Sequence, residues 1–370
     1  MISGTTWAFG ETHDATDNLR DRVVSERTTP PTIRDVARRA GVSTATVSRV
    51  LAGIGNPKAE TARAVLRAVE DLEYRPSAVA RSLRMRRTNT FGLIVTDIQN
   101  PFFPELVQAA DNAAREVGYS ILLGSAAYDE HRAMHYLDLM VDRRVDGLIV
   151  ASSQLSGESW RWLAASPVPV VVVNAEPANV PINVITSDNA GGARLAAEHL
   201  VGLGHRKLAY IRGPQGFTAD APRFEGFRAL CLEAGIPAAD LVEVRGDALV
   251  DGGERAMAEL LAVRDDITAV ACHNDVTAIG ALRALRAARR RVPEEISVTG
   301  CDDIAAASWV VPALTTVQQQ KAAMGQLAVH RLIAMLDDTH GSLSPETVLL
   351  PMLLRVREST GPVPVTAAPA

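Results

Sequence analysis

Between residues 32 and 51 the apolar positions recur at helical spacing in two short bursts separated by a glycine. Ile33, Val36, Ala37 and Ala40 share one face, and Val47, Val50 and Leu51 share another. Thr32 followed by Asp35 is a helix-start pattern, in which a hydroxyl accepts from free backbone N–H groups and a carboxylate sits in the positive first turn. Gly41 supplies the positive φ of a tight exit, and Ser43 caps the second helix. The pattern predicts a helix-turn-helix with Thr44, Ala45, Ser48 and Arg49 on its outer surface. In such a motif that surface enters the major groove of DNA. A short amphipathic helix pair with no DNA role is the alternative.

A loop at Gly53–Pro57 leads to a third helix from about Ala59 to Leu72, with Val65, Leu66 and Val69 expected on its buried side. Tyr74-Arg75-Pro76 breaks it. Ser77 to Leu83 has room for one more short helix, too short to be stable alone in water. From Phe91 the texture changes, and apolar runs of strand length alternate with helical patterns. The expected strands are Phe91–Thr96, Ser120–Gly124, Gly147–Ala151, Val170–Val173, Lys207–Arg212, Leu241–Val244, Ala269–Cys272 and Ser297–Cys301. Helices are expected between them at about 103–117, 130–144, 189–203, 222–234, 252–263 and 275–290. Such alternation implies α/β architecture with parallel sheets covered on both faces. A break near 174–188 splits the body into two doubly wound lobes, about 91–175 with 320–345 and about 177–318 with 348–358. Ligands in such folds collect at the C-terminal ends of the strands, here between the halves.

At 370 residues and 47% hydrophobic content the chain supports two or three domains and a large core. Its net charge of −5 is misleading until divided along the sequence. Residues 30–90 carry 12 Lys and Arg against 5 Asp and Glu, whereas residues 91–370 carry 23 against 33. A basic head on an acidic body is the footprint of one module that touches phosphates. Arg81, Arg84, Arg86 and Arg87 concentrate that charge just after the head. Cys231, Cys272 and Cys301 show no pairing or metal-ligand spacing and read as buried thiols of a reducing cytoplasm. No basic-then-apolar leader opens the chain and no run reaches bilayer length, so cytoplasmic localisation without membrane contact is expected. Residues 1–29 read as a disordered extension and 359–370 as a disordered tail. The division expected is therefore a head at 30–75, a linker at 76–90 and a body at 91–358.

Several motifs now stand in a fixed order: Thr32–Leu51, Tyr74-Arg75-Pro76-Ser77-Ala78-Val79-Ala80-Arg81-Ser82-Leu83, Asn100-Pro101-Phe102-Phe103, Arg144-Val145-Asp146-Gly147-Leu148-Ile149, Gly204-His205-Arg206, Asn274-Asp275 and Pro312-Ala313-Leu314-Thr315-Thr316. In these the chain closely resembles the LacI/GalR family of bacterial transcription regulators over about residues 31–358. The resemblance implies a helix-turn-helix DNA-binding domain plus a periplasmic-binding-protein-like body of two lobes. It gives Thr44, Ala45 and Arg49 the base-reading positions, Arg49 being able to make a bidentate contact to guanine. Thr32, Ser43 and Thr46 complete the candidate contacts of the head. It also makes Ser77–Leu83 a hinge helix that orders in the minor groove, with Leu83 wedged between base pairs and Arg84 beside it. Two hinges must then meet, so the expected unit is a homodimer on double-stranded, palindromic operator DNA. The 359–370 segment has no heptad that would make a tetramer.

For the body, the resemblance places Phe102, Phe103, Asn174, Arg223, Asn274, Asp302 and Gln319 around a small-molecule effector, a sugar or sugar derivative. Carboxylate, guanidinium and amide groups suit vicinal hydroxyls, and an aromatic ring suits an apolar sugar face. For Arg223 and Asp302 the alternative is a structural ion pair between lobes. Phe217 and Ala219 stand where several relatives place polar groups, and Asn174 replaces a common aspartate. A furanose, pentose, deoxysugar or glycoside with an apolar aglycone fits that less polar wall. No cofactor and no metal site are expected: the histidines have no ligand spacing, and Gly202-Leu203-Gly204 ends a helix where a dinucleotide fingerprint would open one. His205 is expected to cap that helix and His273 to approach the cleft. Asp302-Asp303 lacks the partner that acid–base catalysis needs, so no enzyme is expected. The reading is an effector-responsive, sequence-specific repressor of carbohydrate-metabolism genes. Its rival is a solute-binding or sugar-modifying cytoplasmic protein.

Overall fold

The computed structural model describes residues 31–51, 53–74, 87–152, 154–177, 179–338 and 340–364. The chain divides into two compact units, Met1–Arg84 and Met85–Ala370.

In the first unit α1 (Ile33–Ala40), α2 (Thr44–Leu51) and α3 (Ala59–Asp71) close around Val36, Ala37, Val47, Val65 and Ala68. Gly41 adopts φ 67° and the Val42 N–H returns to the Ala37 carbonyl at 3.0 Å, which ends α1 sharply. Ser43 Oγ accepts the Thr46 N–H at 3.2 Å and so caps α2. Thr32 departs from expectation in its direction of bonding. Its hydroxyl and its N–H both donate to Asp35 Oδ2, at 2.7 and 2.9 Å, so the carboxylate is the acceptor. The Thr32 hydroxyl and backbone together hold the Asp35 carboxyl below its ordinary range. Leu66 also departs: it is 52% exposed and Ala68 takes the inward place. At about 100° per residue, positions 65, 68, 69 and 72 form one stripe and 66 falls beside it.

The second unit begins with β1 (Thr90–Val95), α4 (Phe102–Glu116), β2 (Ser120–Ser125), α5 (Glu130–Asp142), β3 (Gly147–Ala151), α6 (Gly157–Ala164), β4 (Val170–Val173) and β5 (Asn183–Ser187). It continues with α7 (Asn189–Gly202), β6 (Leu208–Arg212), α8 (Asp220–Glu233), β7 (Leu241–Arg245), α9 (Val250–Val263), β8 (Ala269–Cys272), α10 (Asp275–Ala287), β9 (Ser297–Asp302) and β10 (Thr315–Gln318). Helix α11 (Lys321–Asp337), β11 (Thr347–Leu350) and β12 (Leu353–Arg355) complete it. One six-stranded sheet has the order β11-β5-β4-β3-β1-β2 and the other β12-β10-β9-β8-β6-β7. All pairings are parallel except β10 with β12. Central strands such as β3 and β4 are buried at every residue, as expected of sheets covered on both faces.

The chain therefore passes between the lobes three times: after Ser187, after Gln318 and after Leu350. This corrects the expected lobe boundaries. Asn183–Ser187 and residues 348–350, expected in the second lobe, belong to the first sheet. Strand β5 follows β4 through a connection without a helix, whereas parallel neighbours usually need a helical crossover, so alternation concealed it. Within the second lobe α9 and α10 pack at backbone distance. A Cβ on Gly280 would stand 2.0 Å from the Val250 carbonyl oxygen, and one on Gly253 2.2 Å from that of Thr277.

The expected disordered tail at 359–370 also needs correction. Ser359 is fully buried and donates from Oγ to the Val298 carbonyl at 2.6 Å. The Val363 N–H bonds Leu203 O at 3.0 Å, and residues 365–370 lie outside the described residues. This segment also reassigns His205, whose ring is buried and bonds Thr268 Oγ1, Ser297 Oγ and the Gly361 carbonyl. Only its backbone N–H serves the helix end, bonding Leu200 O at 3.2 Å. All three cysteines are free and buried.

Candidate functional site

Strand ends from both sheets converge on a cleft between the lobes that holds about 450 Å³ of empty space, its open side included. All seven candidate residues of the body line it. Phe102 enters at the start of α4, where its N–H donates to Asn100 Oδ1 at 3.0 Å, and its ring meets Phe103 edge-on. Asn174 follows β4, Arg223 lies in the first turn of α8, Asn274 precedes α10, and Asp302 ends β9. Gln319 lies on the second passage between lobes, where its Oε1 accepts Ser187 Oγ at 2.8 Å and its Nε2 donates to Asp302 Oδ1 at 2.6 Å.

Arg223 is buried and held on two sides: Nε donates to Asn189 Oδ1 at 2.8 Å and Nη1 to the His273 carbonyl at 2.7 Å. Its Nη2 lies 3.9 Å from Asp302 Oδ1. Both residues come from the second lobe, so the pair does not bridge the lobes. Asn189 Nδ2 donates to Glu176 Oε1, whose backbone N–H reaches Thr218 Oγ1, which ties the arginine to the first lobe indirectly. Asn274 is committed differently. Its Oδ1 accepts the Thr277 N–H and its Nδ2 donates to the Ala248 carbonyl, so it builds the wall and caps α10.

The backbone at the cleft is strained. Asn174, Asp302 and Asp303 have φ of 55°, 130° and 54°, a region non-glycine residues occupy at a cost of about 1–3 kcal/mol each. Lys321, almost fully buried, donates to the carbonyls of Asp302 and Asp303 at 2.6 and 2.8 Å and pairs with Glu105 at 3.2 Å. That clamp fixes the direction of the Asp302 side chain. Two buried polar atoms, Asn174 Oδ1 and His273 Nδ1, have no hydrogen-bond partner among the described residues.

Burial dominates the titration of the cleft. It raises Asp302 above the usual carboxylate range against the opposing pull of Arg223, Gln319 and Lys321. Beneath it Asp275, bonded to Thr316 Oγ1 and the Ile304 N–H, is pushed up to about 7 by burial and by the Asp302 charge. Burial, with Arg223, Arg212 and Arg245 adding to it, holds His273 well below 6.5 and so neutral at pH 7. Because folded Asp275 keeps a proton that the unfolded chain releases near pH 4, stability falls as pH rises from about 4 to about 7. Asp275→Asn mimics the protonated acid, its amide donating toward Thr316 and its oxygen accepting Ile304 N–H. The stability gap in favour of the variant should therefore widen by a few kcal/mol across that window and level off above it. Urea denaturation at several pH values checks this; parallel profiles would refute it.

Sequence reasoning missed Thr96, Asn100, Tyr128 and Ala248 in the lining and Asn189 as the support of Arg223. The available signal was the strand ends: Thr96 directly follows β1, and Tyr128 lies three residues past β2. Phe217, Ala219 and His273 do line the cleft.

On the head, Thr44, Ala45 and Arg49 are exposed along α2, as are Thr32 and Ser43, while Thr46 is half-buried. Arg49 Nε donates to the Ala45 carbonyl at 3.4 Å. Ser77, Leu83 and Arg84 lie outside the described residues. Among the described residues no group of acidic, histidine or cysteine side chains is placed to hold a metal, and no helix is long and apolar enough to cross a membrane.

Residues 32–77 match the family of bacterial regulatory proteins of the lacI type, and residues 197–360 match the periplasmic binding protein-like domain. The ribose operon repressor of Escherichia coli (strain K12) is 37% identical over 89% of this chain and 99% of its own length. The HTH-type transcriptional repressor PurR of Mannheimia succiniciproducens is 34% identical over 89% and 98%. Among solved structures, the lac repressor dimer bound to operator and an anti-inducer superposes with a TM-score of 0.82 at 29% identity, covering 90% of this chain and all of that one. An exposed second helix in the head, two parallel-sheet lobes and relatives matched over almost their whole length agree: the chain belongs to the LacI family of bacterial regulatory proteins and is a DNA-binding transcriptional regulator.

Proposed function

We propose that the protein is a cytoplasmic repressor that binds an inverted-repeat operator as a homodimer and releases or tightens its grip when a pentose-class sugar or its derivative enters the cleft. The observation that carries the effector assignment is the run Ser187–Gln319–Asp302–Arg223. It sets a planar cation, a carboxylate and an amide around one cleft, on residues that also join the lobes. These are the groups that recognise vicinal hydroxyls, and Phe102 offers a ring for an apolar sugar face. A ligand that bonds to both lobes favours one lobe angle over another, and that difference in affinity is the coupling to DNA. The relative named for a ribose operon supports a pentose.

In this reading Thr44, Ala45 and Arg49 read bases, Thr32, Ser43 and Thr46 support them against the backbone, and Ser77, Leu83 and Arg84 serve the hinge. Phe102, Phe103, Asn174, Arg223, Asp302 and Gln319 contact the effector, with Asn274 shaping the wall. Pairing of two chains is assigned to the face where Trp309 and Val311 are 75% and 92% exposed, beside a groove that Ile279, Leu282 and Val292 line together with five arginines between 283 and 291. Side chains of that size seldom face water in a cluster unless a partner covers them.

The test is selection of operator from random duplex at moderate salt, followed by fluorescence anisotropy with and without D-ribose. Specific duplex should bind at least about 10³-fold tighter than random duplex, and ribose should shift that affinity about tenfold. Equal affinity for all duplexes would refute the regulatory reading.

A further inference from the structure

Tyr128 and Phe217 stand in the cleft with ring centroids 6.1 Å apart and planes only 8° from parallel, one ring from each lobe. We propose that this pair is a subsite for a planar heteroaromatic group, and that the effector is a pentose N-glycoside of nucleoside type, not the free sugar. The proposal rests on the cleft being the effector site.

Four observations support it. Phe102 and Phe103 already offer rings to a sugar, and Tyr128 with Phe217 adds aromatic surface beyond them in the same cleft. The two rings are also not in full face contact. Rings in full overlap have centroids about 3.5–4 Å apart. At 6.1 Å this near-parallel pair leaves part of each face free for a flat group to lie against.

The two rings are held by turns at the cleft, and that of Tyr128 has an unusual backbone. Tyr128 has φ 60°, which a bulky side chain rarely adopts, and follows Ala127 at φ 50°. Phe217 closes a tight turn in which its N–H bonds the Pro214 carbonyl and Gly216 takes φ 90°. Finally, the His273 ring meets Phe217 edge-on at 6.1 Å and carries the buried, unpartnered Nδ1. Asp220 Oδ1 lies 3.7 Å from that nitrogen, and Asn174 Oδ1 is likewise buried without a hydrogen bond, so a small side-chain movement is needed before either meets a ligand. A heteroaromatic edge has donors and acceptors to match them.

Isothermal titration of the full chain with D-ribose, methyl β-D-ribofuranoside, uridine and adenosine tests this. At least one nucleoside should bind about 30-fold tighter than ribose, in the range that stacking a base on aromatic side chains provides. The methyl riboside should behave like ribose. Phe217→Leu and Tyr128→Leu, confirmed folded by circular dichroism and thermal melting, should erase the nucleoside advantage and change ribose affinity less than about threefold. Equal affinity for ribose and both nucleosides, or equal weakening of both ligand classes by Phe217→Leu, would overturn the proposal. Ribose binding without any nucleoside binding removes this inference and leaves the cleft assignment standing. Binding of neither class, with no effect of either on operator affinity, removes both.

Discussion

Placing aspartate at Val47 should abolish operator binding and leave the effector affinity of the body unchanged. Val47 is fully buried in a core whose other buried members, among the described residues, are Val36, Ala37, Val65 and Ala68. An unpaired carboxylate forced into such a site costs several kcal/mol. A unit of this size holds only about 0.05–0.15 kcal/mol of stability per residue, a few kcal/mol in all. The penalty matches or exceeds the margin, so α2 loses its platform. Anisotropy with the selected operator should show affinity falling to that for random duplex, while calorimetry with the effector stays within about twofold of the parent. Retained operator binding would mean that the described helices do not form the reading surface. The two units are compact separately, which is why one function should fail alone.

Arg223→Met should cost the body its effector, by on the order of 100-fold or more. A hydrogen bond to a charged group contributes about 1.5–3 kcal/mol, and two lost bonds reach that factor. The guanidinium is aligned before any ligand arrives, because Asn189 and the His273 carbonyl fix two of its nitrogens and leave Nη2 toward Asp302. Its removal also takes away the first of the charges that oppose the burial of Asp302, so that carboxyl would hold its proton to still higher pH. Arg223→Lys should recover little, since an ammonium keeps the charge without the planar fork. Operator affinity without effector should remain within about threefold of the parent. Unaltered titration of ribose and uridine by the methionine variant would refute the assignment.

The head was legible because every signal it needs is local. Capping residues, a turn glycine and a stripe of small apolar side chains lie within forty-odd residues, and even Leu66 was misplaced only by one step around a helix. The body was legible where strand and helix alternate. It was not where they do not: β5 has no helix before it, β10 follows β9 without an α-helix, and β11 and β12 are runs of four and three residues whose pairing partners are distant in sequence. The cleft was half legible. Its charged and amide members stand in recognisable motifs, but Tyr128 sits in a turn whose direction no sequence pattern states. His205 shows the same limit from the other side, since its partners come from residues 268, 297 and 361.

Ser359 through Val363 forms a seam that runs from beneath β9 to the end of α7 and closes over His205. A stop codon placed just before it would strip acceptors from a buried imidazole and from Thr315, whose N–H and hydroxyl bond Ser359 and Thr360. Purification handles and reporter fusions at this end therefore need a spacer that starts after Val363, and shortened clones chosen for crystallisation should keep the seam whole.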